Sequence, residues 1–131
     1  MTAHDPNLLA EAREHRGRMN YLAGHAAEAQ VAADYARRGY PMAAQCWRGA
    51  GGEVDLVLHD GDGLVFVEVK KARDFARALE RITMRQMRRV AAAAQDFMAR
   101  QGYSMLTPMR FDVAAVNGHG EISLIENVMF D

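Results

Sequence analysis

The chain has 131 residues, half of them hydrophobic and a quarter charged, the make-up of one globular domain with a single core. A net charge of −1 and a pI near 6.5 argue against strong non-specific nucleic-acid binding by an overall basic surface, though charge can be polarised onto one face. One cysteine, Cys46, excludes an internal disulfide, and no apolar run approaches the length of a membrane span.

Residues 1–18 form an N-terminal extension, helical or frayed, and 19–131 a single domain. Met1 to Asn20 is polar and mixed in charge, without the apolar stretch of a secretory signal, so a reducing cytoplasm is the expected compartment. The first helix is predicted over Leu22–Arg38, stopping at Gly39. Gly24, Glu28, Val31 and Tyr35 fall on one helical stripe. An acid there either closes a local hydrogen-bond network or points into a site, and periodicity leaves both open. Tyr40 to Arg48 reads as an extended segment, with Trp47 and Cys46 as core residues and no histidine placed to activate the thiol. Gly49-Ala50-Gly51-Gly52 follows as a flexible loop, but lacks the Lys-Ser/Thr that completes a nucleotide P-loop.

The central hairpin carries the most information. Leu56-Val57-Leu58 and Leu64-Val65-Phe66-Val67 are short, β-branched runs joined by Asp60-Gly61-Asp62-Gly63, a hairpin turn. A symmetric loop centred on Gly61 and Asp62 sets Asp55 opposite Glu68 and Glu53 opposite Lys70. Opposed residues share a face, so these four form a polar square unless a bulge breaks the register. Opposed carboxylates repel, and a hard divalent cation such as Mg²⁺ between them removes that cost. Such a centre suits phosphodiester hydrolysis. The competing reading is a salt-bridge lattice at a strand end.

A long helix is predicted over Phe75–Gln101, with Phe75, Leu79, Ile82, Met87, Val90, Ala94, Phe97 and Met98 on its core face. Arg77, Arg81, Arg85, Arg88 and Arg89 lie on other faces, either a solvated surface or a phosphate-contact surface. Strands are predicted over Arg110–Val116 and Ile122–Phe130, separated by the turn Asn117–Gly120, with Asp112 a structural acid. The five histidines show no metal-ligand spacing along the sequence. The fold class is α/β, a central mixed sheet of four or five strands flanked by helices.

Several ordered motifs carry a resemblance: Gly24-His-Ala-Ala-Glu28, Tyr35 through Gly39-Tyr40, Trp47-Arg48, Gly52-Glu53-Val-Asp55, Val65-Phe-Val-Glu68-Val-Lys70 and Arg110-Phe-Asp-Val113. Over residues 18–130 the chain resembles the YraN-like bacterial family, within the PD-(D/E)xK superfamily of restriction endonucleases and Holliday-junction resolvases. The resemblance implies a restriction-endonuclease-like three-layer core and a nuclease acting on DNA, with branched or damaged DNA as the substrate by analogy. It implies one or two Mg²⁺ or Mn²⁺ ions held by Asp55, Glu68 and Glu28, with Glu53 a further carboxylate and Lys70 activating water. Arg48, Arg85 and Gln86 would contact substrate, and a homodimer would follow the resolvases. Two departures stand out: Gln86 where the family tends to carry Lys, and Lys71-Ala72 where it tends to read Thr-Arg. They keep a second reading open, a non-catalytic nucleic-acid-binding or DNA-processing accessory module with the same fold.

Overall fold

A computed structural model describes residues 25–128. The predicted extension at 1–18, Gly24, and the end of the last predicted strand lie outside the described residues. Helix α1 occupies residues 25–37. It closes with Gly39 at φ +94°, as expected for the residue that reverses a helix end. The Gly39 N–H donates to the Ala36 carbonyl and the Tyr40 N–H to the Tyr35 carbonyl, satisfying the last carbonyls.

Five strands follow: β1 (Met42–Gly49), β2 (Gly52–Asp60), β3 (Gly63–Lys71), β4 (Met109–Val116) and β5 (Ile122–Ile125). They form one mixed sheet in the order β1-β2-β3-β4-β5, antiparallel throughout except for the parallel β3–β4 pair. A parallel pair needs a crossover, and α2 (Phe75–Glu80) and α3 (Met84–Arg100) supply it.

The expected single helix over 75–101 is therefore two. Asp74 accepts from the Arg77 N–H at 2.9 Å and caps α2, while Thr83 accepts from the Gln86 N–H at 3.1 Å and caps α3. The apolar spacing runs across the break, but a threonine side chain at Thr83 competes for the backbone and starts a new helix. The consequence for function is positional: Gln86 falls in the first turn of α3, beside the end of β3.

The sheet separates two apolar layers. On one face Ala27, Val31 and Tyr35 of α1 pack over Leu56, Leu58, Val65, Val67, Ala114 and Val116. On the other, Val90, Ala93, Ala94, Phe97 and Met98 of α3 pack over Val54, Val57, Leu64 and Phe66. Phe97 meets Trp47 and Phe66 edge-on at 5.5 and 6.0 Å between centroids. The result is a three-layer α/β core. Asp112 is fully buried on the α1 side. It accepts from Tyr35 Oη at 2.7 Å, Arg110 Nε at 3.1 Å and the Asn127 N–H at 2.9 Å. That is the structural role expected of a buried acid with complete partners.

Candidate active site

The site grows from a break in the hairpin. The β2–β3 register runs from Asp60↔Gly63 to Leu56↔Val67, the pairing predicted from the turn, and there the ladder ends. On the other side β1 pairs Gln45↔Leu56 and then Trp47↔Val54, stepping over Cys46 and Asp55. Cys46 sits at φ +49°, unusual for a residue with a side chain. Strict alternation would put Val54 on the same face as Leu56, yet Val54 packs with Val57 in the α3 layer. Both strands thus change phase together at one level, with the β1–β2 register unshifted across it; the register shift of this pair lies further out, between Met42 and Ala44.

Asp55 is therefore not a ladder partner of Glu68. Its carboxylate takes over the backbone's role, with Oδ2 accepting the Val69 N–H at 2.7 Å. Glu53, Asp55, Glu68, Val69 and Lys70 nonetheless line one cleft of about 290 Å³, closed on the α3 side by Gln86, Arg89 and Val90. Glu68 is only 6% exposed. Its Oε1 accepts from Gln86 Nε2 at 2.9 Å and lies 3.0 Å from Lys70 Nζ.

Burial, and then the facing charge of Glu68, push the Asp55 carboxyl up to about 7, against the opposing pull of the Val69 N–H. Burial also raises Glu68, with the charge and hydrogen bond of Lys70 pulling the other way. Two acids held together at a pH cost, in a concave polar site, mark a place where a cation would be welcome. The donor set is hard oxygen, suited to Mg²⁺ or Mn²⁺. The Val69 N–H holds Asp55 Oδ2, Gln86 and Lys70 hold Glu68 Oε1, and the two carboxyls are themselves hydrogen-bonded, a contact that an ion between them would replace. The residues present fit such an ion.

The profile of an uncharacterised protein family, UPF0102, matches residues 27–116, which span β1 to β4 and every cleft residue. The chain belongs to the UPF0102 family. It is 54% identical over 112 residues to a UPF0102 protein of Ruegeria pomeroyi, covering 86% of this chain and 91% of that one. It is 48% identical over 118 residues to a UPF0102 protein of Roseobacter denitrificans, covering 90% and 92%. A UPF0102 protein of Dinoroseobacter shibae is 43% identical over 124 residues, covering 95% and 92%.

In this UPF0102 chain the other predicted site residues are divided. Glu53 lines the cleft but is bound by Arg48, Nε to Oε2 at 2.8 Å. Arg48 itself is 82% exposed and borders a second, wider cleft with Gly49, Gly51, Gly52, Glu53 and Arg89. Arg85 is exposed on the first turn of α3 and does not line either cleft. Glu28 comes from the α1 layer and is absent from the cleft wall. It accepts from Cys46 Sγ at 3.0 Å and reaches Asp55 only through its field, which raises the Asp55 carboxyl further. Burial and the Glu28 contact push the Cys46 thiol up to about 12, consistent with a thiol that is not a nucleophile.

Arg89, one of the five arginines that the sequence left between a solvated and a phosphate-contact face, lines both clefts. It stands between the two clefts, and its placement depends on Gly52. A Cβ at Gly52 would lie 2.2 Å from the Arg89 carbonyl oxygen, so only glycine lets the β1–β2 turn approach α3 this closely. Asp96 holds the same turn by accepting the Ala50 N–H at 2.9 Å. The signal was the spacing from Thr83. A Thr-x-x-Gln start puts Gln86 in the first turn, and Arg89 follows three residues later on the same face.

Among the described residues no helix is long and apolar enough to cross a membrane.

Proposed function

We propose that this chain is a divalent-metal-dependent nuclease of the PD-(D/E)xK superfamily that hydrolyses DNA phosphodiester bonds. One observation carries the reading: Asp55 and Glu68 share a cleft lined also by Lys70 of β3 and Arg89 of α3. Asp55 and Glu68 would hold Mg²⁺ or Mn²⁺. Such an ion, when bound, supplies charge neutralisation at the scissile phosphate and a more acidic water. Lys70 orients and polarises the attacking water from its position on Glu68. Gln86 fixes the Glu68 carboxylate and can itself orient water. Arg89 and Arg48 receive the flanking phosphates, the role to which a planar guanidinium is suited. Glu53, the further carboxylate on the cleft wall, keeps Arg48 in place until phosphate competes for it.

The test is cleavage of linear, nicked, flapped and four-way DNA in the presence of Mg²⁺ or Mn²⁺, with Asp55→Ala and Lys70→Ala as controls. Metal-dependent cleavage that both variants abolish is expected. The accessory-module reading draws on Gln86, which cannot neutralise phosphate where a lysine could. DNA binding without cleavage by the wild-type protein under any metal would favour that reading.

A further inference from the structure

We infer that His25, Glu28 and Cys46 form a second metal site, selective for a borderline transition ion of the Zn²⁺ or Co²⁺ class, which fastens α1 to the kink in β1. The inference is independent of the nuclease reading, since none of these residues lines the carboxylate cleft.

One ligand atom from each residue lies within 4.8 Å of the other two. His25 and Glu28 are three apart on α1 and so share a face. With bond lengths of about 2.0–2.3 Å, tetrahedral zinc ligands stand roughly 3.3–3.8 Å apart. The structure brackets that range: Cys46 Sγ is 3.0 Å from Glu28 Oε2, and His25 Nδ1 is 4.0 Å from the same oxygen. A small opening of one gap and a small closing of the other produces three ligands and leaves a fourth position. His25 and Glu28 side chains are 38% and 16% exposed, so among the described residues an ion has a path in.

The backbone gives a second argument. Cys46 adopts φ +49°, a conformation that costs a residue with a Cβ and that recurs at functional positions. That turn accompanies the change of phase in β1: Trp47 packs in the α3 layer while the Cys46 thiol meets Glu28 of α1. The donor set is also distinct from the cleft. Sulfur and imidazole nitrogen select zinc-like ions, whereas the all-oxygen cleft selects Mg²⁺ or Mn²⁺. On binding, the thiol proton leaves to solvent and a metal–sulfur bond takes the place of the Cys46–Glu28 hydrogen bond.

Co²⁺ titration followed by absorption spectroscopy tests this, because only a thiolate ligand gives a sulfur-to-cobalt charge-transfer band. The wild-type protein should show that band at one equivalent, and Zn²⁺ should bleach it. Cys46→Ser should lose it. His25→Ala, at an accessible helix position, should keep the fold and weaken Co²⁺ by at least about tenfold, since losing even an outer partner of a metal ligand costs about 10–100-fold. Asp55→Ala should retain the band. No charge-transfer band in the wild-type protein overturns the site, as does unchanged affinity in His25→Ala or loss of the band in Asp55→Ala. Mn²⁺ binding at the cleft, read separately on Cys46→Ser, keeps a failure of the cleft distinct from a failure here.

Discussion

Replacing Asp55 with asparagine should make the protein more stable at pH 8. The carboxyl rises from 3.8 to about 7 on folding, through burial and the charge of Glu68. The folded state therefore holds the proton more tightly than the unfolded chain. Stability falls as pH rises through the window from about 4 to about 7, and the full penalty is in place above it. Taken whole, that shift corresponds to about 4 kcal/mol. Asp55 is only partly buried, so solvent screens part of this, and roughly 2 kcal/mol is the expected gain for Asp55→Asn. The asparagine oxygen can still accept the Val69 N–H, so the substitution removes charge without removing the hydrogen bond. In a domain of this size the gain corresponds to a rise in Tm of roughly 6–10 °C. Thermal unfolding of both proteins at pH 4, 6 and 8, without divalent ions, reads it directly. The difference should be largest at pH 8 and nearly absent at pH 4. Adding Mn²⁺ at a hundredfold excess over its Kd should recover about 3 kcal/mol in the wild-type protein and far less in the variant. A variant no more stable at pH 8, or one stabilised equally at pH 4, would refute the electrostatic account of the cleft.

Three further outcomes follow from contacts already described. Gly52→Ala should cost about 1–3 kcal/mol in chemical denaturation, because its Cβ overlaps the Arg89 carbonyl and the turn must back away from α3. Tyr35→Phe should cost about 1–2 kcal/mol and leave the fold intact, since Asp112 keeps its bonds from Arg110 and Asn127. If the nuclease reading holds, Arg89→Ala should weaken DNA binding across all sequences and reduce the salt dependence by about one phosphate contact, measured by fluorescence anisotropy at several ionic strengths.

The hairpin was legible because its turn and the period of its strands both point to one register, and the ladder follows it down to Leu56↔Val67. The phase change at Cys46 and Asp55 was not. There β1 and β2 switch layers in step without a register shift, and no turn residue marks the switch in the sequence. The four charged cleft residues on the hairpin were found all the same, because alternation within β3 survives to Glu68 and Lys70. The break between α2 and α3 had a readable sign in Thr83-x-x-Gln86, which the uninterrupted apolar spacing obscured. Glu28 illustrates a different limit. Helical periodicity correctly put it on the stripe of Val31 and Tyr35, but which side of the sheet that stripe meets is a tertiary fact.

The phase change has a consequence for altering this protein. Glu53 and Asp55 are two residues apart, yet their immediate neighbours Val54 and Leu56 are seated in opposite cores. Repacking under α3 would move Val54 and with it the two acids that flank it, Glu53 and Asp55, while repacking under α1 would reach Asp55 through Leu56. Asp55 therefore answers to both cores and Glu53 to one, so a change under α1 can re-aim the metal-facing acid without moving the acid that holds Arg48.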